Sequence, residues 1–135
     1  MEVSFLLDFT EQFDQAGVLV RADEHHWVKA GVEVSDGRPQ IGAVATRGTS
    51  DWSVAPAPPE WEGKEVTVRV SRTGGALVIR ARVAGGPWQL VRVCPEPSDG
   101  LLLAGPYLCA PTREGLVVTF TSVRFTEPDV SLHPT

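Results

Sequence analysis

The 135-residue chain has only two cysteines, Cys94 and Cys109, which form no CxxC motif and have no histidine at metal-ligand spacing. This scarcity excludes the disulfide framework of a small secreted domain and the common zinc motifs. We therefore expect both thiols to be unbonded and to pack as small apolar side chains. A single Cys94–Cys109 bridge is the alternative, and it requires a fold that brings the two positions together.

Long apolar runs and clusters of basic residues are also missing. The longest apolar run is far shorter than the ~20 residues that cross a bilayer, and residues 1–8 lack the basic start of a signal peptide. The 12 Lys and Arg are scattered through a chain of net charge −5, whereas nucleic-acid binding needs a concentrated positive surface. We therefore predict a cytoplasmic protein that binds neither membranes nor nucleic acids.

Apolar residues do not recur at a helical spacing; they alternate with a period of two between turns marked by 13 glycines and 11 prolines. Alternation broken by turn signals about every 8–12 residues predicts an all-β antiparallel two-sheet sandwich of jelly-roll type. We expect a single domain over residues 1–126 and a loosely ordered C-terminal tail over residues 127–135. Strands are predicted at residues 3–9, 15–22, 25–34, 40–46, 51–54, 64–71, 76–83, 88–93, 101–108 and 116–125.

Several short motifs follow one another along the chain, and their order is more specific than any one of them. They are Asp14-Gln15-Ala16-Gly17, Trp27-Val28-Lys29-Ala30-Gly31-Val32-Glu33, Asp36-Gly37, Ser50-Asp51-Trp52-Ser53, Gly85-Gly86-Pro87-Trp88, residues 90–92, Gly105-Pro106-Tyr107-Leu108-Cys109-Ala110-Pro111 and residues 117–125. On these motifs the chain resembles the DUF1349 family over most of its length. The resemblance implies a concanavalin A-like β-sandwich and a relation, by name, to a yeast regulator of enolase.

The chain departs from this family at its start. Members usually begin with a further stretch before the position of Val3, which contributes early strands, and this chain resembles a form that lacks them. We therefore expect an open sheet edge at segment 3–9, or at whichever strand the missing stretch normally covers. An apolar edge is an aggregation hazard unless it is paired. A homodimer joined there would remove the hazard, and closure of the sheet by the chain's own loops is the alternative.

Polar and aromatic residues alternate along the strand predicted at 25–34. Trp27, Lys29 and Glu33 share one face, because successive side chains of a strand point to opposite faces. Lys29 and Glu33 lie about 13 Å apart along the strand, so they cannot pair directly. An indole beside a cation and an acid suits a sugar or another small polar ligand. The ligand-binding residues that we predict are Gln15, Trp27, Lys29, Glu33, Asp51 and Trp52.

The same pattern has a second interpretation. A sheet with one solvated face shows polar residues at alternate positions in any case. Lys29 and Glu33 would then form cross-strand salt bridges of ~0–1 kcal/mol with other residues. The tryptophans would fill the core with their N–H groups satisfied.

Catalytic and metal-binding signatures are missing from the sequence. His25 and His26 are adjacent, so they point to opposite faces of a strand and cannot chelate one ion together. No P-loop, GxGxxG or zinc motif occurs. Glycoside hydrolysis needs two carboxylates on either side of the scissile bond, and Glu33 has no second acid at an alternate position of its strand. We predict no catalytic residue, no metal and no cofactor.

Two functions of different classes fit these observations. The first is a non-catalytic module that binds a carbohydrate, or a similar small polar ligand, on the open sheet face. The second is a protein–protein regulatory module, which the family's relation to an enolase regulator suggests. An enzyme that acts on glycosides is a distant third.

Overall fold

The computed structural model describes residues 1–133, which form ten β-strands and a three-residue 3-10 helix at Pro59–Trp61. The strands are β1 (Glu2–Leu6), β2 (Gln15–Asp23), β3 (His26–Ser35), β4 (Arg38–Arg47), β5 (Thr49–Pro56), β6 (Glu65–Thr73), β7 (Ala76–Val83), β8 (Gln89–Pro95), β9 (Leu103–Cys109) and β10 (Phe120–Arg124). The described part of the chain contains no α-helix. The all-β class that the period-two pattern predicts is confirmed.

The strands assemble into two five-stranded sheets. Sheet A has the order β10-β1-β6-β7-β8, and sheet B has the order β5-β4-β3-β2-β9. Every ladder between neighbouring strands is antiparallel. The predicted antiparallel two-sheet sandwich is therefore confirmed.

The hydrophobic core fills the space between the sheets. Val18 and Val32 of sheet B and Val68 of sheet A are fully buried, and each such side chain stabilises the fold by about 1.5–3 kcal/mol. Cys94 joins this core, Cys109 is half-buried, and both thiols are unbonded, as expected. Alternation along each strand places the remaining side chains of both sheets on two outer faces.

β1 is an interior strand, so the prediction of an open edge at segment 3–9 is wrong. Val3 of β1 lies opposite Val68 of β6 on one side and Val123 of β10 on the other. The strand that covers β1 comes from the far end of the described chain, and no local pattern indicates a pairing over such a separation. The edges of the described sheets are β10 and β8 in sheet A and β5 and β9 in sheet B.

The turn between β3 and β4 sets the register of sheet B. Asp36 and Gly37 have φ angles of 56° and 81°, the left-handed pair that a two-residue type I′ hairpin requires. The turn joins Ser35 to Arg38, which lie opposite each other. Because side chains alternate along a strand, this register decides which residues of β4 lie beside the candidate residues of β3.

Candidate functional site

The central strand of sheet B presents the candidate residues on its outer face. Val28, Ala30 and Val32 of β3 are buried in the core, so the alternate positions of β3 point away from it. Those positions hold Trp27, Lys29, Gly31 and Glu33. Since β3 lies in the middle of the sheet, β2 and β4 both contribute side chains to the same surface.

Lys29 is held by a neutral partner. Its Nζ donates a 2.7 Å hydrogen bond to Gln15 Oε1 and lies 5.9 Å from the centre of the Tyr107 ring. Gln15 lies opposite Glu33 rather than Lys29, so the lysine side chain reaches diagonally across β2. Within residues 1–133 no carboxylate forms a salt bridge with Lys29. The cross-strand salt bridge of the second interpretation is therefore not observed for this lysine.

Glu33 is half-buried and has no charged partner in the described part of the chain. Burial raises the pKa of its carboxyl group, and the more distant charge of Lys29 opposes this rise only in part. No described donor forms a hydrogen bond with the carboxylate. Partial burial of a charge without a hydrogen-bonding partner costs free energy. Glu33 is thus an acceptor that the fold itself does not use.

Three glycines lie side by side across the middle of this face. Gly31 lies opposite Gly17 of β2 and Gly42 of β4. A Cβ atom at Gly31 would lie only 2.1 Å from the carbonyl oxygen of Ala16, and one at Gly17 would meet the β3 backbone at 2.0 Å. Such distances are far inside van der Waals contact, so neither position accepts another residue without a backbone shift. These three glycines form a surface without side chains between Lys29 and Glu33, which we call the glycine floor.

Tyr107 of edge strand β9 borders the same floor. It lies opposite Gly17, and its ring approaches the Lys29 ammonium. Burial, and then the charge of Glu33, raise the pKa of the Tyr107 phenol. The hydroxyl therefore stays protonated at neutral pH and can donate a hydrogen bond.

The two candidate tryptophans differ in exposure. Trp52 of edge strand β5 lies opposite Val44, which in turn lies opposite Lys29. Its side chain is 56% exposed, so it offers a free apolar surface at the side of the candidate site. Trp27 is half-buried and lies two residues before Lys29 on the same face. Neither of them is a core residue, whereas Trp61 is fully buried.

Asp51 does not join the other candidate residues. It precedes Trp52 in β5 and therefore points to the other side of the strand. Its carboxylate forms a 3.0 Å salt bridge with Arg92 of β8. Arg92 also donates a hydrogen bond to Ser53 Oγ. Asp51 thus links the edges of the two sheets and does not line the outer face of sheet B.

Sequence reasoning missed Tyr107, Gly17 and Gly42 as neighbours of the site. Tyr107 belongs to a motif that we noted, but its position depends on β9 pairing with β2, which is separated from it by most of the chain. Gly17 also lies in a noted motif. Gly17 lies opposite Gly31 because of the β2–β3 register. The spacing of these two glycines around the hairpin could have indicated this alignment from the sequence.

The described residues include no group of three or more His, Cys, Asp or Glu side chains arranged to hold a metal ion. Residues 1–133 contain no helix that is long and apolar enough to cross a membrane.

Comparison with known families and curated proteins gives three similarities. A family model described as "Protein of unknown function (DUF1349)" matches residues 1–128. Regulation of enolase protein 1 from Saccharomyces cerevisiae is 41% identical over 116 residues, which are 86% of this chain and 58% of that protein. An uncharacterized protein from Emericella nidulans is 29% identical over 70 residues, 49% of this chain and 35% of that protein. The chain therefore spans 58% and 35% of the lengths of these relatives.

Several solved structures are similar in fold, and two of them are described here. A functionally unknown protein from Saccharomyces cerevisiae has a TM-score of 0.85 and 38% identity, covering 94% of this chain and 68% of that chain. A xylan beta-1,4-xylosidase from Bacillus halodurans C-125 has a TM-score of 0.59 and 19% identity, covering 79% of this chain and 23% of that chain. At that identity the second similarity concerns the fold alone, and it agrees with the predicted concanavalin A-like sandwich.

Proposed function

The chain belongs to the DUF1349 family, and we propose that it is a non-catalytic module that binds a carbohydrate or a similar small polar ligand on the outer face of sheet B. One observation carries this proposal. Glu33 is a half-buried carboxylate that accepts no hydrogen bond from a described residue, beside the Lys29–Gln15 pair. The described residues leave this acceptor unused, and burial already raises the pKa of its carboxyl group, so a ligand hydroxyl can donate to it.

The groups around Glu33 match the chemistry of a sugar. Glu33 accepts hydrogen bonds, Lys29 donates them, and the amide of Gln15 does both. The protonated hydroxyl of Tyr107 adds another donor. Trp52 offers a flat apolar surface for a C–H face of the ring. The glycine floor leaves the space between these groups free of side chains, so that a ligand can approach the backbone closely.

The same face argues against glycoside hydrolysis. A glycosidase needs a second carboxylate about 5–10 Å from the first. The other carboxylates in the five described strands of sheet B, Asp23 and Asp51, bond to His26 and Arg92, so Glu33 is the one carboxylate of these strands that has no described partner. We therefore assign Glu33 to binding and no residue to catalysis.

Ligand titration of matched variants tests this function. Mono- and oligosaccharides are screened by the fluorescence of the tryptophans and by calorimetry against the wild-type protein, Lys29→Met, Glu33→Gln and Trp52→Ala. Lys64→Met and Glu60→Gln remove the same charges from exposed positions outside the strands of sheet B and serve as controls. Loss of a charged hydrogen-bonding partner weakens binding by about tenfold or more. Saturable binding that the first three variants weaken and the controls do not alter is expected, and no binding at millimolar sugar contradicts the proposal.

A second candidate function rests on the relative from Saccharomyces cerevisiae, whose name refers to regulation of enolase. Under this alternative the chain is a protein–protein regulatory module of the cytoplasm, and the exposed Trp52 and Val54 of β5 form part of its contact surface. Aromatic residues are enriched at such contacts. Calorimetry with purified enolase separates the two functions. Enolase binding that Trp52→Ala abolishes, without any sugar binding, favours the regulatory module, and absence of enolase binding contradicts it.

A further inference from the structure

The outer face of sheet A carries a cluster of arginines that the site on sheet B does not involve. Arg69 of β6 lies opposite Arg80 of β7, and Arg82 follows two residues later on the same face of β7. Trp88 lies between two of them, with its ring 4.5 Å from the Arg69 guanidinium and 4.2 Å from that of Arg82. Stacking on an indole holds a guanidinium plane in place. The fold thus orders these charges before any partner binds.

A carboxylate from the C-terminal segment, residues 127–133, occupies this cluster. Asp129 accepts hydrogen bonds from Arg69 at 2.6 Å, from Ser71 Oγ at 2.9 Å and from Arg80. Burial opposes ionisation of Asp129, but these bonds and charges outweigh it and lower the pKa of its carboxyl group. The cluster is therefore already a binding site for an ionised carboxylate.

Recognition extends from this carboxylate to the backbone that follows it. Nη2 of Arg80 donates to the carbonyl oxygens of Ser131 at 3.2 Å and Leu132 at 2.9 Å. The side chains of the segment contribute little, since Val130 is fully exposed and Asp129 is the one described residue of the segment that is not exposed. One anchoring side chain together with bonds to main-chain carbonyls is how a protein holds a bound peptide, and a small free anion could not make both sets of contacts.

The cluster also contains more arginines than described carboxylates. Glu2 accepts from Arg69 and Arg124, and Asp129 accepts from Arg69 and Arg80, so four arginines including Arg82 face two described carboxylates. The Nε atom of Arg82 is buried and has no hydrogen-bond partner among residues 1–133. A positive surplus is notable in a chain of net charge −5, and an unsatisfied buried donor favours an added acceptor.

We infer that this surface is a recognition site for an acidic peptide and that the chain's own segment 127–133 is its internal ligand. An Asp-containing segment of a partner protein binds the same arginines in an extended form when it displaces that segment. The segment is suited to exchange because few buried contacts hold it. This inference is independent of the function proposed for sheet B.

A titration with a peptide of residues 126–133 tests the inference on the full chain. The 15N-labelled Asp129→Asn variant, in which the internal carboxylate is removed, is compared with Glu127→Gln. The second variant removes a charge from the same segment at a side chain without described partners. The reporters are the Nε–H signals of Arg69 and Arg80 and the indole N–H of Trp88. The added ligands are the native peptide, the same peptide with Asn at position 129, and acetate.

The expected result is saturable binding of the native peptide to Asp129→Asn. Binding should be about tenfold weaker for the Asn peptide and for the Glu127→Gln protein, whose internal ligand still competes. Acetate should perturb the same signals only at much higher concentration. Equal binding of both peptides, no saturable shift, or acetate acting as well as the peptide would overturn the inference. If Asp129→Asn is not folded, the native peptide is added to the wild-type protein instead. Displacement of the internal segment 127–133 must then shift the signals of Asp129, and unchanged Asp129 signals would overturn the inference.

Discussion

Glu33 combines partial burial with a carboxylate that has no partner among the described residues. Its environment raises the pKa of its carboxyl group, so the folded protein binds a proton there more tightly than the unfolded chain does. Stability associated with this residue is therefore lost as pH rises through the folded-state pKa. At neutral pH the charge of Glu33 opposes folding, as expected of a group kept for binding.

We expect Glu33→Gln to keep or increase the stability of the protein at pH 7 while it weakens ligand binding by about tenfold or more. The gain should shrink below pH ~4, where the wild-type carboxyl group is protonated as well. Urea denaturation of both proteins at pH 7 and pH 3.5 measures the difference. A variant that is less stable than the wild type at pH 7 would mean that the carboxylate has a structural partner.

A second prediction at the scale of a single residue concerns Gly31. Gly31→Ala places a methyl group 2.1 Å from the Ala16 carbonyl oxygen, so the β2 and β3 backbones must move apart. We expect a loss of about 3 kcal/mol, the upper end of overpacking effects. Gly105→Ala is the matched control on the outer face of edge strand β9, where an added Cβ meets no atom within 4 Å. Equal destabilisation of the two variants would show that the close approach is not what requires glycine.

At the scale of elements, local signals predicted the strands of sheet B better than the pairing of sheet A. The Asp36-Gly37 turn predicted the β3–β4 hairpin, because two left-handed residues in a row permit one tight connection. The partner of β1 could not be predicted, since β10 comes from the other end of the described chain. The same limit applies to the site, where alternation placed Lys29 and Glu33 on one face but gave no sign that Tyr107 lies beside them.

Alternation could also have corrected one choice that motif proximity suggested. Asp51 and Trp52 are consecutive in a strand, so they cannot both line the outer face. The structure places Trp52 on that face and Asp51 against Arg92. Two residues of one motif therefore share a site only if they occupy alternate positions of the strand, so that their side chains lie on the same face.

A prediction at the scale of an element concerns the docking of the C-terminal segment, residues 127–133, on sheet A. Asp129→Asn should lower the free energy of unfolding at pH 7 by about 1–2 kcal/mol, because hydrogen bonds to charged groups are lost and the segment undocks. The pKa of Asp129 is lowered in the folded state, so its contribution is present above pH ~4 and lost as pH falls through that depressed value. Denaturation of Asp129→Asn and Glu127→Gln at pH 7 and pH 2.5 tests this. A difference from wild type that persists unchanged at pH 2.5 would contradict the role of the charge.

At the scale of the whole molecule, a homodimer cannot form through β1, because β1 is an interior strand. The predicted dimer must therefore form at another sheet edge. All eight residues of β5 are exposed, and an uncovered edge strand can pair with a second copy. We expect a dimer in sedimentation velocity at micromolar concentration, and Val54→Lys should dissociate it because edge lysines oppose pairing. Leu101→Lys, which places the same charge at an exposed apolar position outside the strands, is the control. A wild-type species of 14.6 kDa would show that no edge pairs.

The molecule thus presents two outer faces of different chemistry. Sheet B offers the carboxylate of Glu33, which has no described partner, together with the ammonium of Lys29 and the exposed indole of Trp52 around the glycine floor. This combination suits a small neutral polar ligand. Sheet A offers a surplus of arginines, which suits an acidic peptide. The two sites share no residue and lie on opposite sides of the core, so variants of one leave the other intact.

Chemical-shift mapping tests the central claim of a ligand site on sheet B most directly. The 15N- and 13C-labelled protein is titrated with the sugars of the screen, and every backbone and side-chain signal is followed. The account predicts saturable shifts confined to Gln15, Lys29, Glu33, Trp52, Tyr107 and the glycine floor between them, and these shifts should need at least about tenfold more sugar in Glu33→Gln. No shift with any sugar, or shifts that fall on the outer face of sheet A, would contradict it.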